Sequence, residues 1–136
     1  MKNIINISLI LFLLMFAGIS CSEDFPIDED GLLITGRGEC YVSNFDLLGR
    51  DYLTVRASSP VIDTVAQTIN VVLLWGTDLK QLWPKFSLVT DAKLEPKITG
   101  WTDFSDLTTP KQWTVISGNR KVRKTYTVTL SVQPKP

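Results

Sequence analysis

The stretch KTYTVTLSV, Lys124–Val132, decides the fold class. Tyr126, Val128, Leu130 and Val132 fall on one side of an extended chain, and Thr125, Thr127, Thr129 and Ser131 on the other. A period of two with β-branched residues marks a strand that buries one face and wets the other. Just upstream, KQWTVIS (Lys111–Ser117) repeats the alternation. The connection GNRKVR holds Gly118-Asn119, residues that tolerate positive φ, so the two runs predict a hairpin.

Further strands are expected toward the N-terminus. TINVVLLW (Thr68–Trp75) is apolar on both faces and predicts a central strand, while KFSLV (Lys85–Val89) begins just after Pro84. DYLTVRA (Asp51–Ala57) and ECYVSNF (Glu39–Phe45) complete the set, and Asp78–Leu82 is read as a single helical turn. No long segment carries helical periodicity. About seven short strands in roughly a hundred residues predict an all-β, antiparallel sandwich over residues 31–136. Trp75 and Trp113 are expected in its core, with Trp83 as a cap. Asn119–Lys124 is rich in Lys and Arg, which suits an edge strand that must resist pairing with other chains.

The first thirty residues follow another logic. Lys2 precedes an apolar run, Ile4–Phe16, then the small residues Ala17, Gly18 and Ser20, and then Cys21. As a helix, Ile4–Ile19 would rise about 24 Å, short of a ~30 Å hydrocarbon core. A cleaved leader over 1–20 fits better. Small residues before a cysteine resemble the lipobox of bacterial lipoproteins, although Gly18 stands where a larger aliphatic is usual. That resemblance implies lipid on Cys21; an ordinary signal with an incidental cysteine is the alternative. Ser22, Glu23 and Asp24 resemble the export signal of Bacteroidetes surface lipoproteins. The implied address is the outer membrane, lipid-anchored and facing the exterior. Residues 21–30, with five acids, are expected to form a flexible acidic tether.

From residue 60 to 133 the order of elements resembles the immunoglobulin-like domains of Bacteroidetes surface lipoproteins grouped as DUF5018 or DUF5018-related. The residues that carry it are Gly76-Thr77-Asp78-Leu79, Leu82, Pro84, Phe86, Asp103-Phe104-Ser105 and Tyr126-Thr127-Val128-Thr129. ITGW before the turn and the basic GNRKVRK hairpin depart from the pattern. The resemblance implies an immunoglobulin-like surface module and supplies no catalytic residues.

Chemistry is sparse. The chain has no histidine, which removes Ser-His and Cys-His pairs and the commonest transition-metal ligand. Its 14 basic and 14 acidic residues give no net charge, so nothing points to nucleic acid. No cofactor or metal is implied. Asp91, Asp103 and Asp106 lack EF-hand spacing, TGRGECY (Thr35–Tyr41) lacks a third glycine, and Cys40 reads as a buried thiol. Asp103 and Asp106 could in principle form a glycosidase pair, but aspartate at a turn has a simpler explanation in local hydrogen bonding. Trp101, in the loop TGWTD, offers a ring that either packs on the domain or stacks on a sugar. The sequence therefore supports a non-enzymatic surface interaction, adhesion or scaffold module. The alternative is direct glycan binding through Trp101, Asp103 and Asn119. The expected partners are the membrane, through lipid on Cys21, and a surface protein complex or a polysaccharide.

Overall fold

The computed structural model describes residues 24–136; the leader over 1–20, Cys21, Ser22 and Glu23 lie outside the described residues. Seven strands follow in order: β1 Val42–Leu48, β2 Val61–Asp63, β3 Thr68–Leu73, β4 Trp83–Leu88, β5 Lys93–Glu95, β6 Lys111–Ile116 and β7 Arg123–Val132. β1 and β4 form one sheet, and β2-β3-β7-β6-β5 the other. No helix occurs among the described residues. The all-β sandwich expected from the sequence is therefore the fold.

The long strand β7 behaves as its alternation dictates. Tyr126, Val128 and Leu130 are buried, while the threonines between them line the outer face. There the Thr114 and Thr125 hydroxyls lie 2.9 Å apart, and Gln112 Nε2 donates to Thr127 Oγ1 at 3.1 Å. These cross-strand pairs hold the register of β6 and β7. Facing this sheet, Phe45 and Leu47 from β1 and the neighbouring Leu82 close the core over Ile69, Val71, Leu73, Trp113 and Val115.

Several expectations need correction. The sandwich is not wholly antiparallel, because β3 pairs with β7 in parallel. Three strands lie between β3 and β7 in the chain, so no tight turn dictates their direction. β3 is buried on one side only: Ile69, Val71 and Leu73 face inward, but Val72, Leu74 and Trp75 are exposed. The small β1–β4 sheet covers one face of the large sheet, and Val72 on the other face of β3 is exposed. Trp75, expected in the core, is 52% exposed, with Lys135 Nζ 5.9 Å from its ring centre. The strand expected at 39–45 begins at Val42, and 51–57 supplies only the bridges Leu48–Thr54 and Arg56–Leu73. Arg56 explains that anchoring, since its guanidinium donates to Phe45 O at 2.7 Å and meets Asp46 Oδ1 at 2.9 Å. Asp78–Leu82 is a turn capped by the Asp78 carboxylate, not a helical one.

The β6–β7 hairpin forms as expected, but for another reason. Positive φ falls on Arg120 (62°), not on Gly118 or Asn119. Gly118 is needed because a Cβ there would meet Thr35 Oγ1 at 2.6 Å and Asp91 Cβ at 2.9 Å. Gly118→Ala should therefore cost about 1–3 kcal/mol through overpacking. A urea midpoint unchanged from wild type would show that this contact can relax. The basic residues of the hairpin do not guard an edge either, since β7 is the middle strand and β2 and β5 are the edges. Arg123 pairs with Glu95, and Arg120 turns to the acidic segment.

That acidic segment is docked from Pro26 onward rather than solvated. Ile34 N donates to Pro26 O at 2.7 Å, Asp28 N to Leu32 O at 2.9 Å, and Thr35 N to Gly118 O at 2.9 Å. Asp28 Oδ2 accepts from Lys93 Nζ at 2.9 Å and from Arg120 Nε at 3.0 Å. Lys93 also reaches Asp30 at 2.8 Å, and Lys97 reaches it at 2.7 Å. Asp28, Glu29 and Asp30, which looked like part of a hydrated spacer, are neutralised by cations distant in sequence.

Candidate functional site

The sandwich has two poles. One holds residues 26–38, Asp91 and the β6–β7 hairpin; the other holds the turn after β1, the loop before β4 and the loop around Trp101. β4 runs between them, about 17 Å at ~3.4 Å per residue.

At the second pole three aromatic rings meet. Trp101 lies 5.4 Å from Tyr52 at a tilt of 46°, and 5.6 Å from Trp83 edge-on at 85°. Two reciprocal backbone bonds, Leu82 N to Thr102 O at 3.1 Å and Thr102 N to Leu82 O at 2.8 Å, tie the Trp101 loop to the start of β4. Phe104 N donating to Leu79 O at 2.7 Å fixes its far side. Tyr52 is held differently. Gly49 N donates to Leu53 O and Tyr52 N to Gly49 O, both at 2.9 Å, closing a tight turn. Asp51 Oδ1 accepts from Leu53 N at 3.1 Å.

Closing that turn puts Tyr52 at φ 60°. A bulky residue in the left-handed region costs about 1–3 kcal/mol and is met disproportionately where a ligand is held. Tyr52 is also well exposed, at 64%, and Leu53 beside it at 65%. Trp101 keeps 39% of its surface open. The sequence reading missed Tyr52, having placed it on a strand. Gly49 and Asp51, both turn formers, were the signal for its true setting.

The residues expected to bind ligand are only partly brought together. Trp101 and Asp103 share the aromatic pole. Asn119 sits at the opposite one, where its Oδ1 accepts from Ser117 Oγ at 2.7 Å and Lys121 N at 3.0 Å. It shapes the hairpin and does not join Trp101. Asp103 Oδ1 accepts from Ser105 N at 2.8 Å, and hydrogen bonds from Ser105 hold its carboxyl below the usual range. The Thr108 and Thr109 hydroxyls do the same for Asp106. Both are turn residues. Asp91 lies at the other pole, 3.3 Å from Arg37, so it shares no site with Asp103 and Asp106. The buried Cys40 thiol donates to Val115 O at 3.2 Å, and burial raises its pKa, as suits an inert core thiol. Asp24, the described end of the expected export signal, is exposed.

A family model described as SGBP, N-terminal, matches residues 53–130. No curated protein matches the chain. Among solved structures, a proposed glycoside hydrolase of Bacteroides thetaiotaomicron shares 28% identity at a TM-score of 0.58, over 72% of this chain and 26% of its own. A DUF4623 family protein of Bacteroides eggerthii shares 18% identity at 0.52, over 71% of this chain and 22% of its own. A proposed secreted protein of Bacteroides fragilis shares 13% identity at 0.50, over 71% of this chain and 97% of its own. The last two are alike in fold alone. This chain spans about a quarter of the length of the first two. Kinship with Bacteroidetes surface proteins thus holds, and the family match names SGBP, not DUF5018.

Proposed function

The chain belongs to the SGBP N-terminal family, and from that premise we propose that it is a non-catalytic, cell-surface glycan-binding module whose polysaccharide contact is the Tyr52–Trp83–Trp101 cluster. The exposed, strained Tyr52 beside Trp101 carries this reading. Aromatic faces take up the C–H faces of sugars, and the bonds of the Trp101 loop to Leu82 and the closed turn at Tyr52 keep the rings in place with little ordering left to lose on binding. Anchoring through lipid on Cys21, with Ser22, Glu23 and Asp24 directing export to the outer face of the outer membrane, completes the proposal. One acyl chain holds only marginally, whereas the multiple chains of a lipoprotein anchor hold firmly.

The proposed glycoside hydrolase among the relatives does not make this chain an enzyme. Carboxylate-dependent hydrolysis needs one acid that stays protonated. Asp103 and Asp106, the pair nearest to that role, are both held toward ionisation by hydrogen bonds.

Affinity electrophoresis through polysaccharide-containing gels tests the assignment. Wild type should be retarded by at least one polysaccharide. Trp101→Ala and Tyr52→Ala should each weaken retention about 30-fold, the loss of a ~2 kcal/mol hot spot. A variant retarded as strongly as wild type would remove the cluster from the function. The second reading is a scaffold or adhesion module within a surface protein complex, favoured by the small share of its relatives' length that the chain spans. It would be left standing if no polysaccharide retarded the wild type and crosslinking on intact cells captured a surface protein.

A further inference from the structure

The docked N-terminal loop is inside out. Its carboxylate Asp28 is almost wholly covered, with 4% of the side chain open, beneath Lys93 and Arg120. Its apolar residues Phe25, Ile27, Leu32 and Leu33 are exposed. The Ile27–Leu33 bridge and the Asp28 contacts fix this arrangement. Clustered exposed apolar side chains on a braced loop mark a contact surface. The charge around them is nearly balanced, because Lys93, Lys97 and Arg120 stand against Asp24, Asp28, Glu29 and Asp30. Such a surface meets lipid headgroups without strong attraction or repulsion.

We infer that this pole is a foot that rests on the lipid surface, with Phe25, Ile27, Leu32 and Leu33 entering the boundary between headgroups and acyl chains. The occupant follows from where the chain leaves the described structure. Asp24 adjoins the patch, and Cys21, the proposed site of the lipid, lies three positions upstream of it. Only three residues separate Cys21 from Phe25, at most about 14 Å of extended chain between their Cα atoms. The inference rests on the lipid anchor proposed above: lipid on Cys21 would keep the foot within that short reach of the bilayer. Apolar groups of this kind settle about 5–10 Å into the interface. The foot then fixes orientation, because the aromatic cluster lies at the opposite pole and is turned outward toward the medium.

Fluorescence quenching by vesicles of phosphatidylethanolamine and phosphatidylglycerol with brominated acyl chains tests the foot, using the full chain as processed and purified from its membrane. Leu33→Trp places a reporter in the patch, and Leu53→Trp places one at the far pole; wild-type emission is subtracted from both. Leu33→Trp should lose most of its added emission and Leu53→Trp should keep it. If the protein floats with the vesicles but Leu33→Trp is unquenched, the foot is overturned and the anchor stands. Protein that stays in the aqueous fraction overturns both. Crosslinking between copies through residue 33, without quenching, assigns the patch to self-association and overturns the foot.

Discussion

Trp113→Ala is expected to cost about 3–5 kcal/mol, a large share of the stability of a domain this size, for which ~5–15 kcal/mol is ordinary. Trp113 is buried at the centre of an aromatic chain that joins the two sheets. Phe45 of β1 meets Phe86 of β4 edge-on at 4.7 Å, Phe86 meets Trp113 at 5.2 Å, and Phe104 approaches Trp113 at 6.2 Å. A two-stranded sheet has little stability of its own. β1–β4 is such a sheet, and it stays folded because these rings bind it to the larger one. Trp75→Ala is the matched control, since it removes the same side chain from an uncovered face and should shift stability by no more than ~0.5 kcal/mol. Equilibrium urea unfolding followed by circular dichroism measures both. Equal losses would mean that the ring stack does not hold the sheets together.

The same substitution couples fold to function. Trp83 begins β4, and the Trp101 loop is bonded to Leu82 just before it. Polysaccharide retention by Trp113→Ala should therefore fail together with tertiary structure, at a temperature where Trp75→Ala still binds.

Which parts of this architecture could be read in advance follows from how locally each is written. β7 and its hairpin partner were legible because a half-buried strand carries its own evidence, one apolar residue in two. β3 misled for the converse reason. Val72, Leu74 and Trp75 are as apolar as Ile69, Val71 and Leu73, and composition cannot say which face another sheet will cover. Tyr52 was hidden because DYLTVRA alternates like a strand, whereas the turn is set by Gly49 and Asp51 through bonds to Leu53. The loop setting of Trp101 was legible because turn-formers stand on both sides of it. Asn119 was grouped with it wrongly because only strand register shows that the two lie at opposite poles. The docking of Asp28 on Lys93 and Arg120 spans separations of 65 and 92 residues, and no local pattern announces such partners.

Asp28→Asn and Arg120→Ala should each free the segment 24–34 while leaving the sandwich folded. Arg120 does more than pair with Asp28. Its Nη2 donates to Leu33 O at 3.0 Å and its Nη1 to Ser117 O at 2.9 Å, so one guanidinium gathers the loop and the hairpin. Lysine has no planar fork to replace those bonds, and Arg120→Lys should fail to rescue. Lys97 is largely exposed and contributes one screened contact, so Lys97→Ala should change little. Limited proteolysis by a chymotrypsin-like enzyme at Phe25, Leu32 and Leu33 reports the population of the released state when reclosing outpaces cleavage. Cleavage should accelerate ~10-fold or more in Asp28→Asn, Arg120→Ala and Arg120→Lys, in line with local opening. The pH dependence has two limits. Hydrogen bonding from Lys93 depresses the Asp28 pKa, so its stabilisation is complete above the ordinary carboxylate value, ~3.9, and is lost as pH falls through the lower folded value. Asp30 and Asp28 raise the pKa of Lys93, so its share is complete below the ordinary lysine value, ~10.4, and is lost only above the raised one. Docking should therefore persist from about pH 4 to about pH 10 and yield to acid only well below the carboxylate range. Release at mildly acidic pH, or cleavage of Asp28→Asn at the wild-type rate, would show that the loop is held by something other than these charges.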